Sequence, residues 1–223
     1  MGRIIVIEGT DGCGKQTQAL KLCERLKAEG YEVLQKSFPN YSSQSSAPVK
    51  MYLAGELSKT AKEIDSYQSS VLFAVDRLCT MIELKQFLRS DGILILDRYV
   101  QSNMIHQAGK ISNLQDRDAF LKWINEFEFN ILKLPKADIV FFLDVPTKLS
   151  QKLAKNRKEL KTGKKIDIHE NDKSHLLDAY HAGKYVSKKY GWKEIDCVDE
   201  KGNLKGIEDI NNIIYEEVKK MLK

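Results

Sequence analysis

Short runs of consecutive apolar residues alternate along the chain with longer stretches in which apolar side chains recur every three to four positions. The runs predict strands at Arg3–Glu8, Glu32–Lys36, Gly92–Asp97, Asp138–Val145 and Glu194–Val198. The longer stretches predict helices over Lys15–Glu29, Ser46–Leu57, Ser66–Arg89, Gln115–Leu132, Pro146–Leu160, Lys173–Lys189 and Glu208–Leu222. Strands that are almost wholly apolar bury both faces, and strands separated by helices pair in parallel rather than as hairpins. The pattern predicts an α/β fold in three layers, a five-stranded parallel sheet flanked by helices. At 223 residues the chain is long enough for one such domain with a small lid, and no repeat or linker interrupts it. Tyr41–Ala47 is Ser-rich but short and reads as a surface loop. In sheets of this kind ligands bind beyond the carboxyl ends of the strands.

The first strand runs directly into Gly9-Thr10-Asp11-Gly12-Cys13-Gly14-Lys15-Gln16-Thr17, and these residues open the first helical pattern. Glycines let backbone amides curl around an anion where a Cβ would block the approach. The helix N-terminus adds partial positive charge and unpaired N–H groups aimed the same way. Lys15 then reaches the β- and γ-phosphates of a bound nucleotide. A glycine-rich turn that merely begins a helix is the plainer alternative; strand before and helix after favour the phosphate loop. One position departs from the pattern. The residue after Gly-Lys is ordinarily Ser or Thr, whose hydroxyl meets Mg²⁺, and here it is Gln16. Thr17 cannot substitute, because one step along a helix turns a side chain by about 100°. An amide oxygen can still meet the ion or its waters, so altered metal use is expected rather than none.

The third predicted strand ends Leu96-Asp97-Arg98-Tyr99, which places a carboxylate and a guanidinium beside the phosphates held by the first loop. Asp97 can order Mg²⁺ waters and Arg98 can grip a phosphate with two parallel N–H bonds, or the two can simply be a structural ion pair. The chain holds 29 lysines but seven arginines, and three of the seven, Arg77, Arg98 and Arg157, stand at candidate sites. Phe73 and Arg77 lie four apart and share a helix face, where a ring can stack on a base and a guanidinium can meet a carbonyl; Phe73 alone is more simply core. From Lys152 to Lys165, seven of fourteen residues are basic, followed by Asp167, Glu170 and Asp172. This is either a solvated helix face or a segment that closes over a triphosphate.

The overall charge is mild, 36 basic against 31 acidic residues, and does not point to nucleic acid. No apolar run approaches 18 residues, and Met1-Gly-Arg begins no signal peptide. Cys13, Cys23, Cys79 and Cys197 lack paired spacing, which suits reduced cytoplasmic thiols. Cys13, at a helix start, is either an acidified thiol or a small residue filling the turn. No Asn-Lys-x-Asp guanine reader is present.

Together these stretches resemble the thymidylate kinase family of P-loop nucleoside monophosphate kinases, from Ile4 to about Tyr180. Ile7-Glu8-Gly9-Thr10-Asp11-Gly12 through Lys15 is similar to that family's phosphate loop, and Asp11 would accept the deoxyribose 3′-OH. Phe38-Pro39-Asn40-Tyr41 resembles its loop near the monophosphate. Leu72 to Arg77 resembles the segment whose Phe stacks on thymine and whose Arg binds its O4. In Asp97-Arg98-Tyr99 through Ser102-Asn103, the resemblance implies that Arg98 holds the acceptor phosphate and Asn103 reads the pyrimidine edge. His106 and Gln107 would complete the acceptor site, and Asp167 and Glu170 match the lid carboxylates. His106 stands where many members carry a Tyr that crowds out a ribose 2′-OH, which puts discrimination against ribonucleotides in question. Gly12 stands where eukaryotic-type members carry a loop Arg. The missing cation would then come from a basic lid over about 153–172, as in the bacterial type, from Arg157 with Lys158, Lys161 and Lys164 as substitutes. The resemblance thus implies transfer of the ATP γ-phosphoryl group to dTMP, with Mg²⁺ at Gln16 and Asp97 and with Lys15, Asp97, Arg98 and Arg157 catalytic. It also implies a cytoplasmic homodimer, packed through helices such as that from Ser66, with no nucleic-acid or membrane partner. A kinase for another deoxynucleotide such as dUMP, or a non-catalytic ATP-binding protein, are the alternatives.

Overall fold

The computed structural model describes residues 2–58, 60, 62–159 and 173–223, with the backbone alone at 156–159 and 173. Five strands, β1 (Arg3–Glu8), β2 (Val33–Ser37), β3 (Ile93–Asp97), β4 (Ile139–Asp144) and β5 (Lys193–Asp196), form one sheet in the order β2-β3-β1-β4-β5. Every pairing is parallel, with Ile5 opposite Ile95 on one side and Ile139 on the other. The expected fold class is the observed one.

Alternation along the strands builds two cores. Ile5, Ile7, Ile95, Phe141, Leu143 and Ile195 face α1 (Lys15–Ala28) and a helix at the end of the chain, Ile207–Leu222. Ile4, Val6, Leu94, Leu96 and Val140 face the other way, onto α3 (Ser66–Glu83), α5 (Val100–His106) and α6 (Leu114–Asn125). Between α1 and α3 lies α2 (Ala47–Leu53), and α4 (Lys85–Arg89) follows α3. After β4 come α7 (Thr147–Glu159) and α8 (Lys173–Tyr190), and the terminal helix is α9. No described helix is long and apolar enough to cross a membrane.

Three predicted helices change on folding. The helix predicted at 46–57 is a 3₁₀ turn at Gln44–Ser46 followed by α2, which stops just before Gly55, a residue at φ 76°. The helix predicted at 66–89 divides at Leu84 into α3 and α4. The helix predicted at 115–132 loosens to π geometry over Glu126–Ile131, which a periodicity of 3.6 cannot signal.

α3 inverts the usual amphipathic pattern. Its buried positions are largely polar, among them Ser66, Ser69, Ser70, Asp76, Arg77 and Thr80, whereas Tyr67, Val71, Val75 and Ile82 are exposed. Polar side chains of α3 are therefore directed toward the rest of the fold, where they meet α5 and the 38–46 loop.

Candidate active site

The carboxyl ends of β1 and β3 are neighbours, so the loop after β1 and the segment after β3 emerge side by side. In the first loop, Gly12 sits at φ 84°, and a Cβ there would lie 2.2 Å from the Ser150 carbonyl oxygen. This position thus holds no side chain at all, let alone an arginine. Asp65 and Asn113 cap α3 and α6 through their side chains, but no side chain caps α1 behind Gly14. Its first amides are left for an anion. Lys15 is buried and folds back over the loop, its Nζ donating to the Thr10 carbonyl at 2.8 Å. Gln16 and Thr17 are exposed on the first turn.

Cys13 is not an acidified thiol. It is buried beneath Gly9, where a Cβ on the glycine would lie 2.6 Å from its sulfur, and burial pushes its pKa up despite the nearby Lys15 and Arg98. The smaller role, filling the turn, is the observed one.

Arg98 has φ 72°, an uncommon conformation for a non-glycine residue that costs on the order of 1–3 kcal/mol. It is held by its neighbours. Its amide donates to the Ile7 carbonyl at 3.2 Å, and the next amide, of Tyr99, donates to Glu8 at 2.8 Å. Glu8 also accepts from the Ser102 hydroxyl. Burial raises the pKa of Glu8, against the pull of Arg98 and the Tyr99 amide. The Arg98 guanidinium pairs with Asp11 through Nη2, while Nη1 lies 3.0 Å from His106 Nε2 and 3.4 Å from Ser102 Oγ. An arginine nitrogen only donates, so His106 Nε2 is the unprotonated nitrogen of that ring. Burial opposes the charge on Arg98, but Asp11, Glu8 and Asp97 outweigh it and hold the pKa above the ordinary guanidinium value. The His106 ring in turn stacks on buried His175 of α8, centroids 5.8 Å apart.

Asp97 does not pair with Arg98. Its Oδ2 accepts from Ser37 Oγ at 3.1 Å, and its buried Oδ1 has no hydrogen-bond partner. An orphaned carboxylate oxygen at the mouth of a phosphate loop fits a Mg²⁺ ion or one of its waters, since Mg²⁺ is commonly held by one or two carboxylates plus substrate phosphates.

The expected base-reading residues form a second, deeper cluster. Arg77 is almost wholly buried and makes a two-pronged pair with Glu128, Nε at 2.7 Å and Nη2 at 2.6 Å. Asn103 donates to the same carboxylate at 3.1 Å and to the Ser70 carbonyl at 3.2 Å. The remaining terminal nitrogen of Arg77, Nη1, has only a long contact, 3.4 Å, to the Tyr99 carbonyl. Phe73 is half-buried, edge-on to Tyr52 at 6.0 Å. Gln107 is tied to α3, accepting from Ser66 at its carbonyl and from Ser69 at its side chain. Phe38 packs on Tyr99 and its amide donates to the Asp97 carbonyl, which carries Pro39 and the exposed Tyr41 to the cleft edge. Asp76 fixes that loop by accepting from the Asn40 amide and from Ser45, both at 2.7 Å.

The structure therefore gathers Asp11, Lys15, Asp97, Arg98 and His106 at one end of the sheet, with Arg77 and Asn103 behind them. Arg157 is on α7, but its side chain, with Lys158, Lys161, Lys164, Asp167 and Glu170, lies outside the described residues. Glu8, Asp76 and Glu128 were missed by sequence reasoning. Glu8 was visible as the one charge closing an apolar strand, and Asp76 lay inside a quoted motif. Glu128 carried no signal.

Residues 7–201 match the family model for thymidylate kinase. The thymidylate kinase of Mycobacterium tuberculosis is 33% identical over 171 residues, covering 76% of this chain and 78% of that protein. That of Plasmodium falciparum is 30% identical over 220 residues, 99% of this chain and 91% of the other. The solved structure of thymidylate kinase from Candida albicans has the same fold, with a TM-score of 0.69 and 20% identity over 98% of this chain and 92% of that one.

Proposed function

The chain belongs to the thymidylate kinase family, and we propose that it transfers the γ-phosphoryl group of ATP to the 5′-phosphate of dTMP, giving dTDP and ADP. The observation that carries this is the side-by-side placement of an uncapped phosphate loop and a charged, positioned Arg98. The acceptor phosphate is already an anion at neutral pH, so the reaction needs placement and charge neutralisation more than a strong base. The loop amides and Lys15 hold the donor phosphates. Lys15 exchanges the Thr10 carbonyl for phosphate oxygen, and Arg98, already fixed by Asp11 and His106, presents its fork to the acceptor.

Asp97 and Gln16 are the residues that would hold Mg²⁺, which supplies charge neutralisation across the β- and γ-phosphates when bound. Phe73 supplies a ring for the thymine face and Arg77 Nη1 the donor for its carbonyl. Asn103, His106 and Gln107 line the same end, and Asp11 takes the sugar hydroxyl. Because position 12 admits no side chain, the remaining cation is drawn from the basic stretch after Lys152, with Arg157 the residue that closes over the transferred group and Asp167 and Glu170 the lid carboxylates. The apolar stripe of Tyr67, Val71, Val75 and Ile82 on α3 supports a dimer through that face.

The decisive assay is ADP release with dTMP, dUMP and TMP as separate acceptors. ATP consumption that requires dTMP is expected; consumption indifferent to the acceptor, or none, refutes the reading.

A further inference from the structure

A second concavity lies at the opposite edge of the sheet, beside the N-terminal ends of β4 and β5. It is a groove of about 440 Å³ between α5, the stretch after α6 and the link from α8 to β5. That size falls within the range of small-molecule sites, roughly 300–1,000 Å³. Gln101 and Met104, three apart on α5, form part of its wall, whereas Ser102 and His106, four apart, occupy the face of the same helix turned toward Arg98.

Gln101 is 5% exposed, and its Oε1 is buried with no hydrogen-bond partner. Buried acceptors are nearly always satisfied, and one that is not requires an explanation. Three rings, Phe129, Tyr190 and Trp192, line the same groove. The Tyr190 hydroxyl is already engaged by Asn125 at 3.2 Å, so what this residue offers is its ring. At the rim, Lys136 lies 5.9 Å from the Phe129 ring centre, and Lys193 is paired with Glu217 at 3.0 Å. An acceptor without a donor calls for an N–H on the ligand, three rings for a flat body, and Lys136 for an anionic group at the outer end.

We propose that this groove is a second ligand site, separate from the phosphate loop, for a planar N–H heteroaromatic bearing a carboxylate or phosphate. Benzimidazole-5-carboxylate is a suitable probe, and 2-naphthoate is a control of similar shape and charge without the N–H. Titrated into the full-length protein and followed by backbone amide shifts, benzimidazole-5-carboxylate should perturb 101–104, 125–129, 136–140 and 190–193. The naphthoate should bind about tenfold more weakly, the value of one hydrogen bond near 1.4 kcal/mol. Gln101→Leu should erase that preference and, by removing an orphaned acceptor, raise the melting temperature by about 3 °C. Shifts confined to residues 9–17, equal affinity for the two probes in the wild-type protein, or a lowered melting temperature in Gln101→Leu would each overturn the proposal.

Discussion

The pair between Arg77 and Glu128 gives a test in which stability and recognition separate. Both side chains are essentially removed from solvent, and two hydrogen bonds of 2.6 and 2.7 Å join them. Glu128→Gln keeps the shape but replaces one oxygen by an amide that turns its own N–H groups toward the guanidinium. Arg77 is then a buried charge without a counter-charge, a loss of about 3–5 kcal/mol where one partner of a buried pair is removed. For a chain of this size that is about 6–20 °C of melting temperature, at about 2–4 °C per kcal/mol. The double substitution Arg77→Met with Glu128→Leu removes both charges together and should return stability to within about 1–2 kcal/mol of the wild type. Recognition should not return with it, because the donor proposed for the thymine carbonyl is gone. Urea denaturation and the KM for dTMP, measured on all three proteins, read the two effects independently. A Glu128→Gln loss below about 1 kcal/mol refutes the buried-pair reasoning, and a double variant with wild-type KM for dTMP removes Arg77 from the acceptor site.

Arg98→Ala and Arg157→Ala are each expected to lower kcat by about 10³–10⁵ with ATP affinity retained, as for arginines that act on the transferring group; near-normal turnover in Arg157→Ala would end the lid assignment. Gln16→Thr should shift the Mg²⁺ concentration that gives half-maximal rate, and an unchanged value would make Gln16 a bystander. Burial lowers the pKa of Lys110 to about 7 while Asp65 opposes that shift. Between that value and the unfolded pKa, the unfolded chain holds a proton that the folded one lacks, so this group makes stability rise with pH from about 7 upward. The rise is at most about 1.4 kcal/mol per pH unit. Denaturation at pH 6.5, 7.5 and 8.5 should show this slope in the wild type and a flatter one in Lys110→Met; parallel curves would show that Lys110 stays protonated when folded.

Local signals carried most of the architecture. Three of the five strands, β1, β3 and β4, are apolar runs and the first loop is a contiguous stretch, so these could be read without knowing what packs where, whereas β2 and β5 are mostly polar and carry a weaker signal. The deeper parts of the site depend on pairings that periodicity does not encode. Glu8 meets the Tyr99 amide 91 positions away, and Arg77 meets Glu128 51 positions away. Glu128 is further concealed because it lies in the π segment, where a helix of 3.6 residues per turn assigns the wrong face. α3 was legible as a helix but misleading in its faces. Its Val71 and Val75 are on the outside while serine, aspartate and arginine are within.

That inversion connects fold to chemistry. A cleft that must hold a nucleotide needs polar groups at fixed positions, and fixed polar groups need partners of their own or they carry a desolvation cost. α3 and α5 meet this need by binding one another: Ser66 and Ser69 to Gln107, Ser70 to Asn103, and Arg77 and Asn103 to one carboxylate. The phosphate-loop end of the site follows the same rule, with Lys15 on the Thr10 carbonyl and Arg98 on Asp11 and His106. In the proposed reaction, substrate phosphates would replace protein oxygens as the partners of groups already charged and already oriented. Little reorganisation is left for the moment of transfer, which is the condition under which electrostatic catalysis is most effective. The strained backbone at Arg98 fits this account, because Glu8 holds the Tyr99 amide and the Ser102 hydroxyl that follow it and so turns an unfavourable conformation into a stable direction for the guanidinium.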